Sequence, residues 1–307
     1  MARIYRRGRQ IDGVLLYDKP KGISSNDALQ KLKRLYNANK AGHTGTLDPL
    51  ASGLLVICFG EATKFAQFLL NADKDYEVQG QLGITTTTGD SEGEIISEQD
   101  PSAITEQQLQ QVLPKFMGTI EQIPPMFSAL KHEGQPLYKL AREGVEVARK
   151  ARRVTIHKLQ LQEFAHGRFK LAVRCSKGTY IRTLVEDIGI DLKVGAHVTE
   201  LRRVSVANLG GDQLVQEQRL QGLFAEAGFS AIDELLIPLD RALSEFPQIT
   251  LDERQVEKIQ HGQGVDLAAE TTSKGLVRLC GEQGNFLGMG YYVPGQPLQS
   301  KRLMRQV

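Results

Sequence analysis

Apolar and polar residues alternate along Arg168-Phe-Lys-Leu-Ala-Val-Arg-Cys175, which puts Phe169, Leu171, Val173 and Cys175 on one face. A period of two predicts a strand with one buried side. Tyr76 to Leu82 alternates in the same way. Two further runs, Asp12 to Asp18 and Leu54 to Phe59, are apolar almost throughout and predict short buried strands. Helical spacing follows Ser24-Ser25, one of which caps a helix through Leu29, Leu32 and Leu35. A second helix is expected from about Ala62 to Leu70, and a third opens on the capping box Thr105-x-x-Gln108 and stops around Gly118. A fourth lies around Leu137 to Gly144. After the turn Ser176-Lys-Gly-Thr179, a fifth presents Ile181, Leu184, Val185 and Ile188 on one face. The polar stretches 42–49, 85–90 and 92–100 predict loops or solvated connections. Strands and helices mix without regular βαβ alternation, so an antiparallel or mixed sheet of α+β class is expected.

The pattern changes near Phe246-Pro247. Beyond it come one short helix, Asp252 to Gln260, and three short strands, Gly275 to Cys280, Asn285 to Tyr292 and Ser300 to Arg305, punctuated by glycines. This predicts a compact β-barrel-like module over 248–307, following a larger domain over 1–247. Pro124-Pro125 opens an irregular basic insertion within the larger domain, running to about residue 153.

Composition narrows the class. With 41% hydrophobic and 24% charged residues the chain reads as a globular protein. Its longest apolar run, Leu54 to Phe59, is far too short for a membrane helix, and the basic N-terminus lacks the apolar stretch of a secretory signal. Cys58, Cys175 and Cys280 are widely spaced and odd in number, which argues against a disulfide framework or zinc cluster and for a reducing cytoplasm. The net charge of +2 is small, but its distribution is uneven. Residues 1–40 carry ten Lys or Arg against three Asp, residues 75–114 carry eight acids and no base, and residues 131–158 carry eight bases against three acids. Such segregation gives one face a positive field suited to phosphates, although each run alone also fits a solvated helix face.

Candidate chemistry centres on Gly42-His-Thr-Gly-Thr-Leu-Asp48-Pro49. Gly42 and Gly45 permit positive φ, and Pro49 biases Asp48 away from helical backbone. A carboxylate held there is either a turn or cap residue, or a nucleophile kept ionised by a cation. The loop lacks the spacing of a nucleotide-binding phosphate loop. Arg182, beside Tyr180 and one turn into the helix after Cys175, is a candidate cation, or else an exposed helix residue. Tyr76 is either a core aromatic or a ring that stacks on an extruded base. His43 has no second ligand at helical spacing and His197 has only Glu200, so no metal is expected.

Several ordered motifs resemble those of one family. Gly42 to Leu55 resembles the catalytic motif of the bacterial tRNA pseudouridine-55 synthases, Lys19-Pro-Lys-Gly-Ile-Ser-Ser25 their N-terminal motif, and Lys74-Asp-Tyr76 their tyrosine motif. Arg174-Cys-Ser-Lys-Gly-Thr-Tyr-Ile-Arg182-Thr-Leu is similar to their arginine motif, while Ile123 to Lys131 and His197 to Arg203 also fit. The C-terminal stretch is similar to the small PUA RNA-binding module that such enzymes carry.

The resemblance implies a cofactor-free isomerase with the pseudouridine synthase fold, which binds the tRNA T-arm and flips uridine 55 into a pocket. It implies that Asp48 is the nucleophile, that Tyr76 stacks on the target base, and that Arg182 pairs with Asp48. Leu201 would line the uracil pocket, His43 would enter the RNA loop in place of the flipped base, and Lys19 and Pro20 would support the pocket floor. Tyr180, Arg202, Lys131 and Arg142 are expected to contact RNA, the last two from an insertion that closes over the T-arm. The chain is expected to act as a monomer, without membrane or small-molecule partners. A tRNA-binding or folding factor without catalysis, and a nucleotide-dependent enzyme using residues 42–49 for phosphates, are the rival readings.

Overall fold

The computed structural model describes residues 8–267 and 273–305. The alternating segments form the middle of one mixed sheet. Its strands run side by side as Gly13–Lys19, Ser52–Phe59, Ala196–Val206, Lys74–Leu82, Arg168–Cys175, Arg152–Ala165 and Gly118–Gln122. Neighbours are antiparallel except Ser52–Phe59 with Ala196–Val206, which run parallel. The short strands Ala41–His43 and Leu209–Gly210 extend it. The expected α+β class with a mixed sheet is what the chain adopts.

The two strands that are apolar throughout are buried on both faces. One face sends Leu15, Tyr17, Leu55, Ile57 and Phe59 into a core shared with Tyr76, Val78, Leu171 and Val173. The other sends Val14, Leu16, Leu54, Val56 and Cys58 into a second core with Phe65, Phe68 and Leu69. The helix Ile181–Asp191 buries Ile181, Leu184, Val185 and Ile188, as its periodicity predicts. Cys58, Cys175 and Cys280 are all free and buried.

Some elements differ from expectation. The segments 85–90 and 92–100 are not simply loops, because Ile84–Thr86 and Ile95–Glu98 pair as a hairpin. Ile95 and Ile96 both stay exposed, so backbone pairing rather than a buried face sustains it, and no alternation marks it. The 62–70 helix divides into a 3-10 segment, Gly60–Lys64, and a short α-helix, Ala66–Leu70. The capping box at Thr105 forms in both directions, but its α-helix ends at Val112 and continues as a 3-10 turn to Phe116. The strands Arg152–Ala165 and Ala196–Val206 and the helix Glu217–Asp233 carry too broken a pattern to be anticipated.

Residues 248–303 form a separate four-stranded sheet, Gln248–Leu251, Gly275–Gly281, Phe286–Tyr292 and Gln299–Leu303, with the helix Glu253–Gln260. It has its own small core around Leu251, Ile259, Val277 and Leu298. It also docks firmly: Met289 enters the second core, Phe286 meets Phe65 at 5.8 Å between ring centroids, and Arg278 pairs with Asp240 at 2.5 Å.

The close approach of Ser52–Phe59 to Ala196–Val206 depends on Gly53. Its φ is +97°, and a Cβ there would lie 2.2 Å from the Arg203 carbonyl oxygen. Gly53→Ala is therefore expected to lower stability by about 3 kcal/mol. The urea midpoint should fall with the m-value unchanged. An unaltered midpoint would show that the two strands can separate at no cost.

Candidate active site

Asp48 lies on a loop gripped from several sides. Gly42 and His43 are in the short strand Ala41–His43 rather than the loop, so Gly42 needs no positive φ, whereas Gly45 takes φ +99° as expected. Of the two serines, Ser24 caps the helix Ser25–Leu35. Ser25 is buried and turned to the loop, where its Oγ accepts from the Leu47 N–H at 2.7 Å and donates to the Leu47 carbonyl at 2.9 Å. On the other side of Asp48, the Gly22 N–H donates to the Pro49 carbonyl at 2.8 Å. Lys19 is fully buried, and its ammonium donates to the carbonyls of Pro20 and Ile23, both at 2.8 Å. The Lys19–Ser25 turn thus forms a cradle for the residues flanking Asp48.

The helix that follows Cys175 brings in Arg182. It is not an exposed helix residue, since its side chain is 4% accessible against 36% for that of Asp48. Its Nε meets Asp48 Oδ2 at 2.9 Å. Nη1 donates to the Thr88 carbonyl at 2.6 Å and lies 3.6 Å from Asp90 Oδ2, and Nη2 donates to the Phe127 carbonyl at 2.7 Å. The contact with Asp48 is therefore one-point, with the rest of the guanidinium anchored to backbone and to a second carboxylate. Asp90 is itself buried and held by the Thr88 hydroxyl at 2.6 Å. Burial pushes the Asp48 carboxyl above the ordinary carboxylate range and Asp90 adds to this, while Arg182 and Lys19 pull it back. Arg182 is the largest opposing influence on a carboxylate that burial would otherwise favour protonated.

Tyr76 sits on the Lys74–Leu82 strand, 8% exposed, with Arg203 directly opposite on the next strand. Burial raises its phenol, and the Arg203 guanidinium opposes this. Burial also lowers the Lys19 ammonium to about 8, while the Asp48 charge draws it back up. Asp48 and Arg182 are in contact, and Tyr76 is close enough for the Asp48 charge to bear on its phenol.

The remaining candidates divide. Leu201 is buried in the core that contains Tyr76 and faces Val78 across the strand pair. His43 is half-buried, its Nδ1 has no partner, and burial, helped by the Arg203 charge, lowers its pKa. Pro20 is exposed beside Lys19. Tyr180 immediately precedes the Arg182 helix, where the buried Gln122 side chain accepts from its N–H at 3.0 Å and donates to its carbonyl at 3.2 Å. Arg202 points to the other side of its strand from Leu201 and Arg203, and is paired through both Nη atoms with Asp18 at 2.9 and 3.0 Å. Lys131 and Arg142 are exposed on the insertion, which carries a small hairpin and the helix Leu137–Arg142. Asp90, Ser25, Gln122 and Arg203 were not singled out from the sequence. Only Ser25 and Arg203 fall inside recognisable motifs; the polar run ending in Asp90 carries no signal that separates a buried carboxylate from a turn residue.

Known proteins match this arrangement along the whole chain. Residues 33–181 match the family described as TruB family pseudouridylate synthase (N terminal domain). Residues 182–244 match the tRNA pseudouridylate synthase B C-terminal domain, and 247–304 the pseudouridine synthase II TruB C-terminal family. The chain is 50% identical over 305 residues to the tRNA pseudouridine synthase B of Stutzerimonas stutzeri, covering 99% of both chains. To the protein of the same name from Coxiella burnetii (strain Dugway 5J108-111) it is 48% identical over 298 residues, covering 97% of this chain and 96% of that one. Among solved structures, a protein in the crystal structure of a Cbf5-Nop10-Gar1 complex superposes with a TM-score of 0.74 at 26% identity, covering 95% of this chain and 84% of that one. By sequence and fold, the chain belongs to the TruB family of pseudouridylate synthases.

Proposed function

We propose that this protein converts uridine 55 in the T-arm loop of tRNA to pseudouridine. The observation that carries the reading is the Asp48–Arg182 ion pair at 2.9 Å, with the buried Tyr76 on the Lys74–Leu82 strand of the same sheet. A base inside a stem-loop cannot reach a carboxylate so confined, so the nucleotide is flipped out of the stack, with His43 filling the space it leaves. Asp48 attacks the flipped nucleotide, the N1–C1′ bond breaks, and uracil turns to present C5. The new C5–C1′ bond forms and the bond to Asp48 breaks, restoring its carboxylate; the C5 proton is lost, and N1 regains a proton. Substrate and product are isomers, so no step calls for a redox partner or nucleotide. Tyr76 stacks on the base and Leu201 supplies an apolar wall, which strengthens the polar contacts to a uracil that leaves with negative charge. Lys19 and Pro20 support the floor beneath Asp48. The relatives named tRNA pseudouridine synthase B support tRNA as the substrate.

Incubation with an unmodified T-arm stem-loop, in the presence of chelator and without nucleotide, is expected to give pseudouridine at the position corresponding to 55. Product at another uridine, or none, would overturn the assignment.

The same reading makes 1–247 the catalytic domain, with the insertion 124–153 bringing Lys131 and Arg142 over the T-arm and Tyr180 and Arg202 at the RNA boundary. It makes 248–307 a PUA-like second RNA contact, and the whole a monomer acting in the cytoplasm. Lys301, exposed and lying over the Tyr291 ring at 5.3 Å, and exposed Arg302 offer phosphate contacts on that module. Replacing both with Gln in the full chain is expected to lower the salt slope of tRNA binding by about 2, leaving kcat unchanged. An unchanged slope would remove this face from the RNA surface.

A further inference from the structure

Among the described residues, Arg203 is the largest fully buried side chain, and it forms no ion pair with a carboxylate. A buried guanidinium without a counter-ion is costly to fold around, so its field and its hydrogen bonds call for an explanation. Its Nε donates to the Leu54 carbonyl at 2.8 Å and its Nη2 to the Gly45 carbonyl at 3.1 Å. Those two carbonyls stand at opposite ends of the loop that contains Asp48. Ser25 and Gly22 hold the middle of that loop, at Leu47 and Pro49, whereas Arg203 draws its two ends together.

The same residue lies directly opposite Tyr76 in the antiparallel pair of Ala196–Val206 with Lys74–Leu82, and directly opposed residues share a face of the sheet. Its charge acts on four titratable groups near it. It opposes the burial-driven rise of the Tyr76 phenol, and it adds to the lowering of Lys19, His43 and Lys74.

We propose that Arg203 is the positioning residue of this site: it fixes the Asp48 loop against the strand that carries Tyr76, and presents its positive charge to the Tyr76 hydroxyl. It does not touch the substrate. It acts through two residues that do, and the proposal therefore rests on the reaction assigned above.

Two variants of the full chain test it. Arg203→Met is near in volume and uncharged, while Arg203→Lys keeps the charge but cannot span both carbonyls. Each is read by thermal unfolding, by kcat and KM on the unmodified T-arm stem-loop, and by the 13Cζ chemical shift of Tyr76, assigned with Tyr76→Phe. The expected result for Arg203→Met is a loss of about 100-fold in kcat with KM within about threefold of wild type. Its Tyr76 resonance moves as well. Arg203→Lys should also lose turnover but leave that resonance near its wild-type position. A folded Arg203→Met variant with normal kcat, or with an unmoved Tyr76 resonance, would overturn the proposal. Should the Met variant not fold, a folded Arg203→Lys with unchanged kcat would overturn it equally. An inactive wild-type protein would refute the assigned reaction, and the Tyr76 shift would still judge Arg203. An active wild type with an indifferent Arg203 refutes this proposal alone.

Discussion

Asp48→Asn should abolish isomerisation while leaving RNA binding intact. The substitution is nearly isosteric, and an amide oxygen can still accept from Arg182 Nε, so the loop clamped by Ser25, Gly22 and Arg203 has no reason to move. What disappears is the carboxylate oxygen that attacks in the proposed reaction. A missing nucleophile is expected to cost about 10⁴-fold or more in single-turnover rate. Filter binding of the stem-loop should stay within about threefold, because the phosphate contacts that dominate affinity lie elsewhere. The outcome separates the readings: a tRNA-binding or folding factor would keep its function in the Asp48→Asn variant, and persistent pseudouridine formation by that variant would remove Asp48 from the chemistry.

Arg182→Lys carries the second large effect. Arg182 divides its donors among the Asp48 carboxylate, the Thr88 and Phe127 carbonyls and the neighbourhood of Asp90. A single ammonium cannot satisfy groups arranged around a planar fork, so turnover is expected to fall by about 10²–10³-fold, with a much smaller change in RNA affinity. Near-normal turnover would mean that any cation suffices. Arg182→Met adds a test of sign. In the proposed reaction ionised Asp48 is the reactive form, so the rate should rise with pH through the Asp48 titration. Burial and Asp90 push that titration up, and Arg182 pulls it down. Without the cation the acid limb of the rate profile must move to higher pH, and the deficit must be larger at pH 6 than at pH 8. A limb that stays in place would show that Arg182 does not govern Asp48 ionisation. Stability is read alongside, since the Met variant also leaves the buried Asp90 without its cation.

Much of the sheet was legible before any coordinates. Period-two alternation marks strands because successive side chains point to opposite faces, and the Arg168–Cys175 strand and the buried runs at Val14–Tyr17 and Leu54–Phe59 fall where the pattern puts them. The Ile84–Thr86 and Ile95–Glu98 hairpin escaped because its isoleucines are exposed, so burial left no imprint on its sequence. Motif resemblance brought Asp48, Tyr76 and Arg182 into one list, and local reasoning could not choose between a nucleophile and a turn residue for Asp48.

The amino-acid sequence by itself determined the alternating and apolar strands and the periodic helices, that Gly45 can take positive φ, and which residue types are available for chemistry. The resemblance already paired Arg182 with Asp48; tertiary structure alone decided that Asp90 joins them, that Ser25 clamps the loop rather than capping a helix, and that Arg203 faces Tyr76. The physical reason lies in the partners. Arg182 and Arg203 are held largely by the carbonyls of Gly45, Leu54, Thr88 and Phe127, and Ser25 by the backbone of Leu47. Every residue carries a carbonyl, so an acceptor of that kind has no letter in the sequence. Only the folded chain shows which carbonyls converge on a buried charge.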